Sequence, residues 1–214
     1  MGKITKIETQ NKNKNRVSVF VDGEYRGSLS LITCAQTGLR EGDELNDARW
    51  DEIERMHEAR QAFDQGLRYL ESRMRSHREM RDYLRRKGFS DEAADSAREK
   101  LAQYGYLDDA EFARLWVRDR AAVRRSGRWG IEQELLARGV DRDKIALALD
   151  EYTPEREREN ARAEFDRLRK RYENVADTAT RKQKIGASLM RRGFDWDTIR
   201  PLMETLREGG EQWD

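Results

Sequence analysis

Apolar and polar positions follow two different periods along the chain, with the change near residue 45. In the front segment Val17, Val19 and Val21 alternate with Ser18 and Phe20, which is the period of a strand. Asp22-Gly23 follows, and then a second run from Glu24 to Leu29. Asp-Gly between two extended runs predicts a tight hairpin, because a type I′ turn needs positive φ at both central positions. Lys3 to Thr9 offers a third strand across an Asn/Lys-rich turn, and a short helix is expected near Leu31–Thr37. From about Asp47 onward the spacing is helical.

The helical part contains a repeat. Leu84-Arg-Arg-Lys87-Gly88-Phe89-Ser90, Leu135-Leu-Ala-Arg138-Gly139-Val140-Asp141 and Leu189-Met-Arg-Arg192-Gly193-Phe194-Asp195 share one grammar, and Gly88, Gly139 and Gly193 are nearly evenly spaced. A core leucine precedes a base in the last helical turn, where the helix dipole favours positive charge. Glycine takes the left-handed position after the helix, and the apolar residue behind it packs back, as in a Schellman motif. Ser or Asp then caps the next helix. Ala94, Ile145 and Ile199 lie one turn into that helix. Asp108 to Glu111 reads as a capping box opening a further helix, with Phe112, Leu115 and Trp116 as its apolar face. Thr153-Pro154 opens the equivalent helix later, with proline at its first position. In the first unit that helix is placed at Glu58 to Ser72.

The expected fold is therefore mainly α. Tandem three-helix repeats form an elongated curved array behind a small N-terminal β-hairpin or meander module. The expected divisions are residues 1–45 for the β module, 46–105, 106–152 and 153–214 for the three repeats, the last with a C-terminal tail.

Composition narrows the function. Charged residues make up 40% and apolar residues 36%, which suits a thin array better than one thick core. Net charge is only +1, but its distribution follows the repeat. Residues 67–90 carry eight bases and three acids, while residues 91–113 carry two and seven. Residues 114–142 carry eight and four, and residues 143–166 carry four and eight. Residues 167–192 carry nine and two, and residues 193–214 carry two and six. Stacked units would align the basic blocks into a stripe able to meet a phosphate backbone or an acidic groove. The competing reading is a set of solvated helix faces with charges paired at i,i+4.

Little chemistry of other kinds is present. There is no glycine-rich phosphate loop. Two histidines and one cysteine cannot make repeated metal sites, so neither metal nor cofactor is expected. Cys34 is read as a small core residue, and His57 and His77 as surface residues. Asp108-Asp109 is read as helix capping rather than paired catalytic carboxylates. No apolar leader is read in the opening residues and no apolar run of about 18 residues occurs, so a cytoplasmic location without a membrane span is expected. Trp116 is assigned to the core, and Tyr104 and Tyr106 to packing of the turn before Asp108. Trp129 lies in a basic loop, Arg124-Arg125-Ser126-Gly127-Arg128-Trp129-Gly130. The preferred reading is that its indole plugs the core at a helix start. The alternative is that the loop contacts phosphates while the indole stacks on a ligand.

Gly105-Tyr106-Leu107-Asp108-Asp109, with Phe112 and Ala113, resembles the signature of the RecX regulatory protein family. So do Ile131 to Val140 and the first-unit segment Glu79 to Phe89. The front segment, with Arg16, Asp22 to Tyr25 and Leu39 to Leu45, is similar to an extension found in longer members. One departure is Trp129, where the family pattern leads us to expect a smaller or less aromatic residue. The resemblance implies tandem three-helix units and no catalytic residues. It implies a protein that binds RecA filaments in their groove, blocks filament growth, and suppresses ATP hydrolysis, strand exchange and RecA-promoted repressor cleavage. Some members bind DNA directly.

Taken with the basic blocks, this makes the expected partner the RecA filament, with weak binding to single- or double-stranded DNA, by a monomer. The expected contacts are Arg85, Arg86 and Lys87 in the first block, Arg124, Arg125 and Arg128 in the second, and Lys182, Lys184, Arg191 and Arg192 in the third. A DNA-binding helix-turn-helix acting without RecA is the alternative. Against it, the helix after Gly139 opens with Asp141, Asp143 and Lys144 and then turns apolar. An inert scaffold is a third reading.

Overall fold

The computed structural model describes residues 1–208. The tail expected after the third repeat lies at residues 209–214, outside the described residues. The chain forms two compact units. One contains Met1–Met74 with Met80–Leu107, and the other contains Arg75–Glu79 with the chain from Asp108.

The first unit opens with an antiparallel sheet of four strands, β1 (Gly2–Thr9), β2 (Arg16–Val21), β3 (Glu24–Ser30) and β4 (Glu44–Leu45), in the order β3-β2-β1-β4. Asp22 and Gly23 have φ of 48° and 88°, the two positive values a type I′ hairpin requires. Helix α1 (Leu31–Thr37) is capped by Ser30 and ended by Gly38 in the left-handed region. The short β4 was not foreseen, since two residues carry no periodic signal.

Helix α2 runs from Asp47 to Leu70, so it starts about three turns before the expected Glu58, with Asn46 accepting the amide of Arg49 as its cap. Its first half belongs to the β module. Trp50 and Ile53 close the core formed by Ile4, Val17, Val19, Leu29, Leu39 and Leu45. Its second half supplies Ala62 and Phe63 to the first helical core, with α3 (His77–Arg86) and α4 (Asp91–Gln103). One helix with two burial faces in succession shows no boundary to a periodicity argument.

His57 lies between those two halves and is buried, not a surface residue as expected. Its Nδ1 lies 3.1 Å from the Thr33 hydroxyl and its Nε2 lies 2.9 Å from Gln61 Nε2. Burial, and secondly the nearby charge of Arg16, push the imidazole pKa below its usual 6.5. The folded state thus favours the neutral ring, while the unfolded chain takes up the proton more readily. This stability is present above about pH 6.5 and is lost as pH falls through the lower folded value. The urea midpoint of the wild type is expected to fall further between pH 7.5 and 5.5 than that of His57→Gln. Parallel losses would remove His57 as the cause.

The second unit contains α5 (Asp109–Asp119), α6 (Arg128–Ala137), α7 (Arg142–Asp150), α8 (Pro154–Arg171), α9 (Thr178–Arg191) and α10 (Trp196–Glu208). Asp108 caps α5 through the amides of Ala110 and Glu111, which holds its carboxyl below the usual range. Glu111 does not complete the expected box. Its carboxylate accepts from Arg114 instead. Leu115 is exposed, and Val117 takes its place in the core. Thr153 caps α8 with Pro154 at the first position, as expected.

All three repeated motifs form Schellman turns. Phe89, Val140 and Phe194 donate their amides to Leu84, Leu135 and Leu189 at 3.2–3.3 Å, and Gly88, Gly139 and Gly193 have φ of 92°, 75° and 81°. The three leucines are fully buried, which contributes about 1.5–3 kcal/mol each. Ala94, Ile145 and Ile199 are buried one turn later. Ser90 and Asp195 accept the expected capping amides, whereas Asp141 pairs with Lys144.

Candidate functional site

The second unit is interlocked twice by the same device. Ser76 Oγ donates to the carbonyl of Arg138 at 2.7 Å, and one repeat later the amide of Gly127 donates to the carbonyl of Arg192 at 2.9 Å. In each case a helix start docks on the carbonyl just before a Schellman glycine. A buried carboxylate accepts the next amide: Asp109 from His77 at 3.0 Å and Glu157 from Arg128 at 2.7 Å. Burial raises the Glu157 pKa, and the Arg128 amide opposes that rise. Asp109 is therefore a structural acceptor for a distant segment, while the capping of α5 is done by Asp108 alone.

The second interlock brings basic residues together. After Asp119 the helix widens into a π turn over Arg120–Arg124 and ends at Arg125, a non-glycine residue at φ 50°. Such a left-handed residue costs on the order of 1–2 kcal/mol and persists only where its surroundings hold it. Here the holders are visible. Asn160 Nδ2 donates to the Ala121 carbonyl and to the Tyr152 hydroxyl, both at 2.9 Å. The Tyr152 hydroxyl donates to the Ser126 carbonyl at 3.0 Å, and Arg192 donates to the Arg124 carbonyl. Burial pushes the Tyr152 phenol up to about 12, so it remains a donor throughout the physiological range.

Next to this turn lies an open groove of about 790 Å³ lined by five arginines, Arg124, Arg125, Arg167, Arg191 and Arg192, against two glutamates, Glu134 and Glu164. The glutamates are occupied. Glu164 is buried and binds Arg167 and Arg192, each at 2.6 Å. Glu134 accepts from Arg120 at 2.7 Å and from the Trp116 indole at 2.9 Å. Trp116, assigned to the core, is instead half-buried between the guanidinium groups of Arg120 and Arg138, each 3.9 Å from the ring centre. Among the described residues, Arg124, Arg125 and Arg191 make no ion pair.

Trp129 forms one wall of the groove and is 58% exposed, which overturns its expected place as a core plug. Gly130, next in the chain, packs against the Arg192–Gly193 backbone, so the helix start is filled by backbone rather than by the indole. Tyr104 and Tyr106 are also exposed, although Tyr104 keeps an edge contact with Phe63.

The remaining expected contacts are dispersed. Arg128 turns inward, donating to the carbonyls of Leu149 and Tyr152. Arg85 pairs with Asp91 at 2.8 Å, Arg86 is exposed, and Lys87 lies 5.6 Å from the Tyr83 ring centre. Lys182 faces an apolar groove beside Trp196 and Met190, and Lys184 lines a small cleft with Arg191. Arg167 and Trp129 are groove residues beyond the contacts expected from the sequence. Arg167 precedes the third repeat's motif and carries no local signal of its own. Cys34 is half-buried against the β-module core, and burial raises its thiol pKa. Among the described residues, no cluster of His, Cys, Asp or Glu suited to a metal is found. No described helix is long and apolar enough to cross a membrane.

Four family models match in order along the chain: the RecX N-terminal domain over residues 2–46, and the first, second and third RecX three-helix domains over 62–101, 108–149 and 155–203. The chain belongs to the RecX family. Regulatory protein RecX of Listeria welshimeri is 33% identical over 192 residues, covering 90% of this chain and 71% of its own. That of Bacillus pumilus is 32% identical over 209 residues, covering 98% and 79%. A crystal structure of a regulatory protein RecX superposes with a TM-score of 0.74 at 27% identity, over 95% of this chain and all of that one. RecX from Lactobacillus salivarius shares the fold, with a TM-score of 0.60 at 24% identity over 71% of this chain and 97% of its own. The RecX three-helix domains coincide with the three Schellman repeats, and the RecX N-terminal domain coincides with the sheet.

Proposed function

We propose that this RecX protein regulates the RecA recombinase by binding the RecA–DNA filament, where it holds back filament growth, ATP hydrolysis and strand exchange. The observation that supports this reading most is the arginine groove. Three arginines without carboxylate partners lie beside an exposed indole, in a chain whose relatives are named regulatory proteins. Such a surface suits a polyanionic filament. In this reading the protein acts in the cytoplasm as a monomer, serves DNA repair, recombination and control of the SOS response, and has no catalysis of its own. The basic residues named from the sequence are its proposed contacts, except Arg128, whose guanidinium is bonded to the carbonyls of Leu149 and Tyr152. Arg124, Arg125 and Arg191 lead, because no carboxylate among the described residues pairs with them. A helix-turn-helix reader of DNA has less support, since the two basic donors of α7, Arg142 and Lys144, pair with Glu132 and Asp141, and the rest of its exposed face carries Asp143, Leu147 and Asp150.

The test is RecA's single-stranded-DNA-dependent ATP hydrolysis, titrated with this protein. Strong inhibition well below one molecule per RecA is expected. Charge reversal at Arg124 and Arg191 is expected to raise the half-inhibitory concentration at least tenfold. No effect at any ratio, with tight DNA binding in a RecA-free control, would overturn the reading in favour of direct DNA binding. Unchanged inhibition by the reversed variant would remove the groove from it.

A further inference from the structure

Trp129 presents a large aromatic surface to solvent although its neighbours Ser126 and Gly127 are buried. Its helix start is already packed by the backbone of Gly127 and Gly130 against Arg192 and Gly193, so the indole does no packing the fold requires. We propose that the groove is a single-strand-selective nucleic-acid site, in which one unstacked base lies on Trp129 while flanking phosphates lie on Arg124, Arg125 and Arg191. This deepens the proposed function by naming what that surface holds, and rests on it only for the source of the strand.

Three observations carry the proposal. First, the groove's acids are internally neutralised, Glu164 by Arg167 and Arg192 and Glu134 by Arg120, so the charge of the three remaining arginines is directed outward. Second, the arginine-bearing turn is held in advance. Arg125 is fixed at φ 50° by a π turn whose carbonyls are bonded to Asn160 and Arg192. Binding then spends little on ordering the loop. Third, charge and π-face are adjacent in an open groove of about 790 Å³. An acidic peptide would satisfy the arginines and leave the indole unused. A duplex would present phosphates but keep its bases stacked and out of reach. A single strand uses both, as in sequence-tolerant stacking platforms.

The experiment compares fluorescence anisotropy of labelled dT20, an abasic strand of equal length and a 20-base-pair duplex, with full-length protein and no RecA. Wild type is expected to bind dT20 about tenfold or more tighter than the abasic strand. Trp129→Ala is expected to erase that difference, and Trp129→Phe to keep most of it. Arg125→Ala is expected to weaken both strands equally and to flatten the salt dependence by about 0.7 in the logarithmic slope. Equal binding of dT20 and abasic strand by wild type would overturn the proposal, as would tighter binding of the duplex or an unaffected Trp129→Ala. Circular dichroism melts of each variant separate a folding defect from a binding one. RecA inhibition is measured in parallel. If Trp129→Ala loses strand binding and still inhibits RecA fully, the site stands and regulation runs elsewhere. Base-selective binding with no effect on RecA would leave the site standing while the proposed function fails.

Discussion

Alanine at Gly193 is expected to lower folding stability by about 2–5 kcal/mol, one of the largest effects available from a single methyl group in this chain. Two costs coincide there. The residue has φ 81°, which costs a side chain on the order of 1–2 kcal/mol. Its Cβ would also fall 2.2 Å from the Cα and amide nitrogen of Gly130, where backbone cannot move aside as a flexible side chain can. Overpacking of that kind costs typically about 1–3 kcal/mol. Two companions separate the terms. Gly88 has φ 92° but open space around its Cβ, so Gly88→Ala should lose only the conformational part. Gly127 has φ −74°, yet its Cβ would meet the Gly193 carbonyl oxygen at 2.2 Å, so Gly127→Ala should lose only the packing part. Urea unfolding of the three variants checks this. If Gly88→Ala and Gly193→Ala cost the same, the interlock contributes nothing to stability.

Asn160→Ala is expected to cost about 2–4 kcal/mol and to disturb the groove without removing any charge from it. Asn160 is buried, and its amide serves both the Ala121 carbonyl within the π turn and the Tyr152 hydroxyl. Truncation leaves the carbonyl without that donor, and an unmet buried polar group costs about 1–3 kcal/mol. The left-handed Arg125 then loses one of its holders. The amides of Arg125 and Ser126, both bonded to the Arg120 carbonyl, are expected to exchange with solvent markedly faster than in the wild type, while those of α4, which belongs to the first unit, are unchanged. On the proposed function, RecA inhibition should weaken along with them. A variant that is destabilised but keeps slow exchange at residues 125 and 126 would show that the turn holds its shape by local means alone.

What the sequence determined was whatever local chemistry enforces. Positive φ at Asp22-Gly23, α1, the three Schellman turns, and the caps at Asp108 and Thr153 follow from side chains acting on backbone within a few residues, and the structure has them at those positions. The repeat told the architecture, because equal motifs recurring at near-equal spacing fold alike. The tertiary structure decided what depends on residues distant in the chain. His57 is buried because the sheet and α1 close over α2. Trp116 serves as a platform between two arginines because Arg138 arrives from the end of α6. Arg128 turns inward because carbonyls of Leu149 and Tyr152 meet it, while Trp129 turns outward because Gly193 already fills the space beside Gly130. Charge periodicity pointed to the basic segments. Which arginines remain unpaired in the groove was settled by the carboxylates of Glu134 and Glu164. Glu164 reaches Arg192 from a different helix, and no local pattern reports on a partner that only folding brings near.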